Sequence, residues 1–375
     1  MSTLTLNMNS MSLNDSNYSK EEEVTKLKNA KATVKHMMDS GLTQVPKIFT
    51  NQTELWQDES VETYNRDLKV PVIDLRGFEG EGKRRKQIVA EILDASKTWG
   101  IFKVVGHGVP KESINDMLEG VKKFNEQPME LKTEYYSHDP TKKVRYHLSI
   151  NPISFDPVWK DTFSAHYEDQ PVEDSEAFVP SICRKEMSDY VTYATELKET
   201  LSELMSEALG LRSDYLRTSG CIEARKLVSH YSPPCPDPSL TMSTSKHSDP
   251  FFLTFLVQNN INGLQAHHEN QWIDVTFEDD AILVVIGDLL QLITNDVFKS
   301  TVHRVVPSTE GPRLSSGAFF LPSTKNHSRI YGPIKELYEH NNGAPVYRET
   351  SFIEYIKTFP RRGPCGYKTL SKFWV

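Results

Sequence analysis

The stretch Phe252-Leu253-Thr254-Phe255-Leu256-Val257 belongs to a series of short apolar runs that decides the fold class. The other runs cover residues 263–266, 272–275, 281–286, 299–305 and 313–321, and turns rich in Pro, Gly, Asn and Asp separate them. Strands of this length and spacing are typical of a β-sandwich or barrel. The pattern therefore predicts a jelly-roll core, also called a double-stranded β-helix.

The N-terminal half of the chain shows a different pattern, in which short strands alternate with helices. Residues 70–75 and 101–105 have the composition of strands, and apolar residues at helical spacing follow each of them. A long amphipathic helix is predicted from about Lys185 to Gly210, where it would support the sheet. The fold class that follows is α+β, with supporting helices and a mixed α/β N-terminal region around the jelly roll.

Four regions are predicted along the chain from these patterns. Residues 1–23 form a flexible tail rich in Ser and Asn, and residues 24–210 form the mixed region with its long helix. The jelly roll occupies residues 211–325, and a helical segment, residues 326–375, ends the chain.

Composition excludes several classes of protein. The 375 residues include 43 Lys and Arg and 51 Asp and Glu, and a net charge of −8 argues against nucleic acid as a partner. No apolar run approaches the ~20 residues that cross a bilayer, so no membrane association is expected. Four widely spaced cysteines suit a reducing compartment, which predicts a cytoplasmic protein. An acidic protein of this size can function as a monomer, and a monomer is expected. A Ser-rich plastid transit peptide is the less favoured alternative, since the first Arg is Arg66.

Three residues in the β-rich region form a candidate metal site. His247 and Asp249 are two positions apart, and on a strand such residues point to the same face; His303 comes from a later run. Two His and one carboxylate form the facial ligand set of non-haem Fe(II), although Zn²⁺ accepts the same ligands.

A candidate anion site begins at Arg313, ten residues after His303. Arg313 and Ser315 are again two positions apart, and a guanidinium beside a hydroxyl binds a carboxylate at two points. Together with the metal site, this pair predicts a metal and a dicarboxylate in one pocket.

The sequence around these residues resembles the plant 2-oxoglutarate and Fe(II)-dependent dioxygenases, especially the branch called 1-aminocyclopropane-1-carboxylate oxidase homologues. The resemblance extends from about residue 40 to 375. Its most specific motifs are residues 233–238, 245–250, 263–265 with 272–275, 286–295, 299–305 and 311–315.

The resemblance implies that His247, Asp249 and His303 hold Fe(II), and that Arg313 and Ser315 bind the distal carboxylate of 2-oxoglutarate. It also implies that O2 and 2-oxoglutarate are consumed, that succinate and CO2 are released, and that ascorbate serves as reductant. The small-molecule substrate would be hydroxylated, desaturated or cyclised, and the C-terminal segment would close over it.

Two further residues are expected near the co-substrate. In the family, the position of His230 lies close to the iron-chelating end of 2-oxoglutarate. Where the family commonly has a second Tyr before the Pro-rich motif, this chain has Ser232, so weaker co-substrate binding or a water molecule in the gap is expected.

The resulting hypothesis is a dioxygenase that acts on a plant specialised metabolite, such as an alkaloid or a steroidal compound. Two rivals remain: 1-aminocyclopropane-1-carboxylate oxidase itself, which uses ascorbate and not 2-oxoglutarate, and a barrel that binds a small molecule without turnover.

Residues 159–163 and Phe319 or Phe320 either line the substrate pocket or pack the core.

Overall fold

The computed structural model describes residues 19–50, 68–150, 157–168, 178–278, 280–339, 343–359 and 369–375. Its strands are β1 (Val72–Asp74), β2 (Ile101–Val105), β3 (Val144–Ile150), β4 (Pro157–Tyr167), β5 (Ala224–Ser232), β6 (Thr244–His247), β7 (Leu253–Gln258), β8 (Leu264–His268), β9 (Gln271–Asp274), β10 (Ile282–Ile286), β11 (His303–Val305), β12 (Arg313–Leu321), β13 (Ile330–Tyr331) and β14 (Thr350–Ser351).

The α-helices are α1 (Lys20–Asn29), α2 (Val34–Asp39), α3 (Lys47–Thr50), α4 (Lys83–Thr98), α5 (Lys111–Glu126), α6 (Met129–Lys132), α7 (Arg184–Ala208), α8 (Tyr215–Thr218), α9 (Asp288–Ile293), α10 (Lys335–Glu339) and α11 (Phe352–Thr358). Short 3₁₀ turns cover Thr133–Tyr135, Pro238–Leu240, Thr324–Asn326 and Leu370–Phe373. No helix within these described ranges is both long and apolar enough to cross a membrane.

Two sheets form the jelly roll. The larger has the order β1-β2-β10-β7-β12-β5-β4-β3 and the smaller the order β6-β11-β8-β9. Leu264, Ala266 and Val305 of the smaller sheet pack with Leu283 and Val285 of the larger one in a shared apolar cluster. The predicted α+β fold with a jelly-roll core is confirmed.

The opposite face of the larger sheet is covered by helices. Helix α7 lies against α4 and α5, and its buried residues join the main hydrophobic core. Tyr190, Leu197, Leu201 and Leu204, the apolar face read from the sequence, are all buried there. The long helix therefore supports the sheet, as its periodicity predicts.

Strands β3 and β4 were not predicted from the sequence. Nearly every residue of β4 is buried, on both faces of the strand, so the usual polar and apolar alternation is missing. Because both strands pair in the larger sheet beside β5, that sheet contains strands from either side of residue 210. The predicted domain boundaries stay a prediction.

Two other predicted ranges are shorter or shifted in the structure. The run 299–305 is a strand only from His303, because Ser300 donates hydrogen bonds to Asp288 and Gln291 while Thr301 bonds to Trp99. Helix α1 begins within the predicted tail 1–23, whose first 18 residues lie outside the described ranges.

The buried carboxylate of Asp161 joins the N-terminal helices to the larger sheet. It accepts the backbone N–H groups of Val34 at 2.7 Å and Lys35 at 2.9 Å, in the first turn of α2, and the Tyr146 hydroxyl at 3.4 Å. A carboxylate at this end of a helix also interacts favourably with the helix dipole.

We expect Asp161→Ala to lower the free energy of unfolding by about 2 kcal/mol or more, because it leaves buried donors without an acceptor. Urea denaturation measures the loss. Asp139→Ala is the matched control, since Asp139 accepts from Thr141 in an exposed turn and its loss should cost under about 0.5 kcal/mol. Equal losses for the two variants would show that the Asp161 contacts do not hold the helices in place.

Candidate active site

Three candidate ligand residues converge between the two sheets. His247 ends β6, His303 begins β11, and the two are direct partners in the antiparallel register. The Nε2 atoms of His247 and His303 lie 3.7 Å and 3.8 Å from Oδ1 of Asp249. All three candidate ligand atoms lie within 4.8 Å of one another, so a single ion can contact them all.

The strand argument for Asp249 was wrong, although the residue does join the cluster. Strand β6 ends at His247, and Asp249 lies in the loop that follows. This loop is held by other contacts: the Thr254 hydroxyl donates to Oδ2 of Asp249 at 2.7 Å, and the Asp288 backbone N–H donates to its carbonyl at 2.8 Å. Side-chain alternation therefore does not place this carboxylate.

Backbone carbonyls orient both imidazoles. Nδ1 of His247 lies 2.9 Å from the Ser245 carbonyl, and Nδ1 of His303 lies 3.1 Å from the Thr301 carbonyl. Because a carbonyl can only accept, Nδ1 carries the proton in each ring and Nε2 presents its lone pair. Burial and the neighbouring His303 lower the pKa of His247 to about 4, so the ring is neutral at neutral pH.

The donor set fits a divalent non-haem metal. Two neutral imidazole nitrogens and one carboxylate oxygen converge from one side, which leaves positions for other ligands on the opposite side. Geometry alone allows Fe(II) or Zn²⁺, as the sequence does.

Asp288 supports the cluster, and the sequence did not identify this role. Its carboxylate accepts the hydroxyls of Ser248 at 3.0 Å, Ser300 at 2.7 Å and Tyr355 at 2.7 Å. Ser248 lies between the first two candidate ligands, Ser300 precedes the third, and Tyr355 belongs to α11. Burial raises the pKa of Asp288 to about 7. A signal existed in the motif 286–295, but spacing assigns no role to its Asp.

A buried guanidinium lies at the start of β12 in the larger sheet. Arg313 is 4% exposed; it donates to Ser315 Oγ at 3.1 Å and to Gln258 Oε1 at 2.5 Å. Its Nε atom has no hydrogen-bond partner, and no carboxylate of the described residues lies within salt-bridge distance of it. Burial lowers the pKa of Arg313 to about 10. A buried, incompletely bonded cation of this kind fits an anionic ligand.

His230 and Ser232 lie on the same face, on the neighbouring strand β5. They pair directly with Ser315 and Arg313. Nδ1 of His230 lies 3.0 Å from the Thr162 hydroxyl, and burial with nearby cations holds the pKa of His230 well below its usual value. The buried Ser232 hydroxyl has no hydrogen-bond partner within the described part of the chain.

The inner face of β5 is partly accessible to solvent. Lys226, Val228 and His230 are partly exposed, whereas the residues that alternate with them are buried. Facing sheets that leave one side accessible can admit a small molecule to the cluster.

Of the aromatic candidates, Phe319 is partly exposed on the inner face of β12 and the others pack the core. Phe319 is partly exposed and lies at even spacing from Arg313 on β12, with its ring 5.2 Å from that of Phe251. Phe320 is buried against Phe255, and Trp159 is buried against Phe49. Phe163 is likewise a core residue.

A separate cavity of about 540 Å³ lies on the helical side of the larger sheet. Ile114, Leu118, Val257 and Leu314 contribute to its lining, and none of the three converging ligand residues does. It is therefore not part of the candidate site.

Comparison with known proteins agrees with this geometry. Residues 224–322 match the model of the 2OG-Fe(II) oxygenase superfamily, and residues 70–186 match the N-terminal domain described as non-haem dioxygenase in morphine synthesis.

Two relatives and one structure illustrate the similarity. 1-aminocyclopropane-1-carboxylate oxidase homolog 11 of Arabidopsis thaliana is 39% identical over 92% of this chain and 95% of its own. Deacetoxyvindoline 4-hydroxylase of Catharanthus roseus is 40% identical over 93% of this chain and 88% of its own. The crystal structure of JOX2 in complex with 2OG, Fe and JA is 26% identical, has a TM-score of 0.77, and is matched over 92% of this chain and 98% of its own.

The chain is thus a member of the 2OG-Fe(II) oxygenase superfamily, in the branch of the 1-aminocyclopropane-1-carboxylate oxidase homologues, and is an Fe(II)- and 2-oxoglutarate-dependent dioxygenase.

Proposed function

We propose that His247, Asp249 and His303 hold the Fe(II) of this dioxygenase. The observation that carries this assignment is the convergence of their three ligand atoms within 4.8 Å of one another. Arg313 and Ser315 bind the distal carboxylate of 2-oxoglutarate, and the 2-oxo acid end of this co-substrate reaches the metal. His230 lies alongside the co-substrate as a neutral ring.

The protein's own groups position the reactants. When bound, the iron supplies the oxidising chemistry with O2, and 2-oxoglutarate is converted to succinate and CO2. Arg313 fixes the position of the co-substrate, and the aromatic rings of Phe319 and Phe251 exclude water and present a substrate carbon to the metal. Which carbon is oxidised then depends on how the pocket holds the substrate.

We infer that the substrate is a plant specialised metabolite with an extended apolar skeleton, such as an alkaloid or a steroidal compound, and that it is hydroxylated, desaturated or cyclised. The ring centroids of Phe251 and Phe352 of α11 lie 6.3 Å apart, so an aromatic wall extends into the predicted C-terminal closing segment. The names of two similar sequences, a deacetoxyvindoline hydroxylase and a domain of morphine synthesis, support a substrate of this class.

We expect His303→Ala to reduce succinate formation from 2-oxoglutarate by at least ~100-fold, because two protein ligands hold Fe(II) poorly. Bound iron and succinate are measured in parallel, with Fe(II) and ascorbate supplied. His36→Ala is the control, since this histidine is exposed on α2. A variant without His303 that binds iron and turns over normally would contradict the ligand assignment.

We expect Arg313→Met to raise the KM for 2-oxoglutarate by ~100-fold, because the distal carboxylate would be buried without its cation. Arg217→Met, at an exposed position, should leave this KM unchanged. The same KM in both variants would place the distal carboxylate elsewhere.

Untargeted mass spectrometry identifies the substrate class. A plant metabolite extract is incubated with enzyme, Fe(II), ascorbate and 2-oxoglutarate, and the His303→Ala protein serves as the blank. We expect an alkaloid or steroidal compound to gain one oxygen or lose two hydrogens. Ethylene released from 1-aminocyclopropane-1-carboxylate without consumption of 2-oxoglutarate would favour the oxidase rival, and tight ligand binding without O2 consumption would favour a binding protein.

A further inference from the structure

A lysine is buried on the same inner face as the proposed co-substrate site. Lys160 of β4 is 6% exposed, and its Nζ atom donates to the Thr244 hydroxyl at 2.6 Å. Nζ also lies 3.5 Å from Nε2 of His230. Both partners are neutral, and no carboxylate of the described residues lies within salt-bridge distance of this ammonium group. The neighbouring Asp161 bonds to α2 on the opposite face of the strand.

Lys160 and Arg313 flank the same residue. Arg313 pairs directly with Ser232 on one side of β5. The pairing of Asp161 with Tyr231 brings Lys160 beside Ser232 on the other side. Two buried basic residues thus lie on the strands on either side of Ser232, whose hydroxyl has no hydrogen-bond partner in the described residues. Burial, and then the charge of Arg313, lower the pKa of Lys160 to about 7.

Two buried positive charges at Lys160 and Arg313 are unfavourable when no ligand is bound, and an anionic ligand would pair with both of them. A buried charge is costly unless it is paired, and two like charges add repulsion to that cost. A carboxylate between the two cations removes both effects, and it also offers an acceptor to the unpartnered Nε of Arg313.

We propose that Lys160 is a further donor to the distal carboxylate of 2-oxoglutarate, and that it compensates for the small side chain at Ser232. The assignment rests on the proposed co-substrate site at Arg313 and Ser315. It predicts that the co-substrate is bound by an ammonium and a guanidinium from opposite sides of β5. The alternative source of the same chemistry is a carboxylate of the oxidised substrate.

Binding measurements on the Fe(II)-loaded protein without O2 separate these sources. Titration calorimetry with 2-oxoglutarate gives one dissociation constant, and pyruvate, a 2-oxo acid without a distal carboxylate, gives another. We expect Lys160→Met to weaken 2-oxoglutarate binding by ~10- to 100-fold, because a charge-assisted hydrogen bond is lost, and to leave pyruvate binding unchanged. Lys160→Arg, which keeps the cation, should recover most of the affinity.

The control is Lys226→Met. Lys226 lies on the same face of β5, but it pairs with Phe319, well along the strand from Ser232. The Lys226→Met variant should leave 2-oxoglutarate binding unchanged. A second readout is the melting temperature of the ligand-free protein, which Lys160→Met should maintain or raise, since an unpaired buried charge is removed.

Several outcomes overturn the proposal. If Lys160→Met leaves 2-oxoglutarate binding unchanged while Arg313→Met weakens it, the role of Lys160 is refuted and the proposed co-substrate site stands. That result would favour a carboxylate of the oxidised substrate as the partner of the Lys160 ammonium. Equal weakening of 2-oxoglutarate and pyruvate means that the variant distorts the metal site. If the unaltered protein binds no 2-oxoglutarate, the proposed function itself fails.

Discussion

The buried carboxylate of Asp288 is the contact that holds together the segments carrying the three candidate metal ligands. It accepts hydrogen bonds from Ser248, which lies between His247 and Asp249, from Ser300, three residues before His303, and from Tyr355 of the C-terminal helix α11. Its backbone N–H fixes the carbonyl of Asp249. The preceding Gly287 permits this approach, because a Cβ there would overlap the carbonyl oxygen of Phe251. One acidic side chain thus links the loop of Asp249, the start of β11 and the segment predicted to close the pocket, so a change at any of them is expected to shift the proposed metal ligands.

The two faces of the larger sheet have different roles, since the outer face packs the main core and the inner face carries the residues of the candidate site. Its outer face packs against helices α4, α5 and α7 in the main apolar core. Its inner face packs against the smaller sheet through Leu283 and Val285 of β10, and carries polar and charged residues on β4, β5 and β12. Alternation along β5 and β12 assigns each residue to one face, so Tyr231 and Phe320 stabilise the core while His230 and Phe319 are partly exposed on the inner face. A one-residue shift in register would exchange these roles, and extensive pairing of β12 with both β5 and β7 prevents it.

Much of this arrangement could be predicted from the sequence. Short apolar runs indicate the jelly roll, and the residues later found together, His247, Asp249, His303, Arg313 and Ser315, are recognised by residue type, spacing and resemblance. Other features could not be predicted, for physical reasons. Strand β4 is buried on both faces and shows no alternation, which concealed both the strand and the inward direction of Lys160. Asp249 is positioned by a loop that long-range hydrogen bonds hold, and no local pattern encodes such bonds.

The charge of the whole chain gives no guide to the charge of the site. The net charge is −8, yet Arg313 and Lys160 are buried cations without a carboxylate partner in the described residues. A fold can retain such a pair only if the rest of the core stabilises it, which is the usual relation between a binding site and the structure around it. Because a ligand that binds only the folded state stabilises that state, an anion at these cations shifts the folding equilibrium as it binds. If 2-oxoglutarate binds at these cations as proposed, the electrostatic cost of the ligand-free pocket favours a dicarboxylate over neutral molecules of similar size.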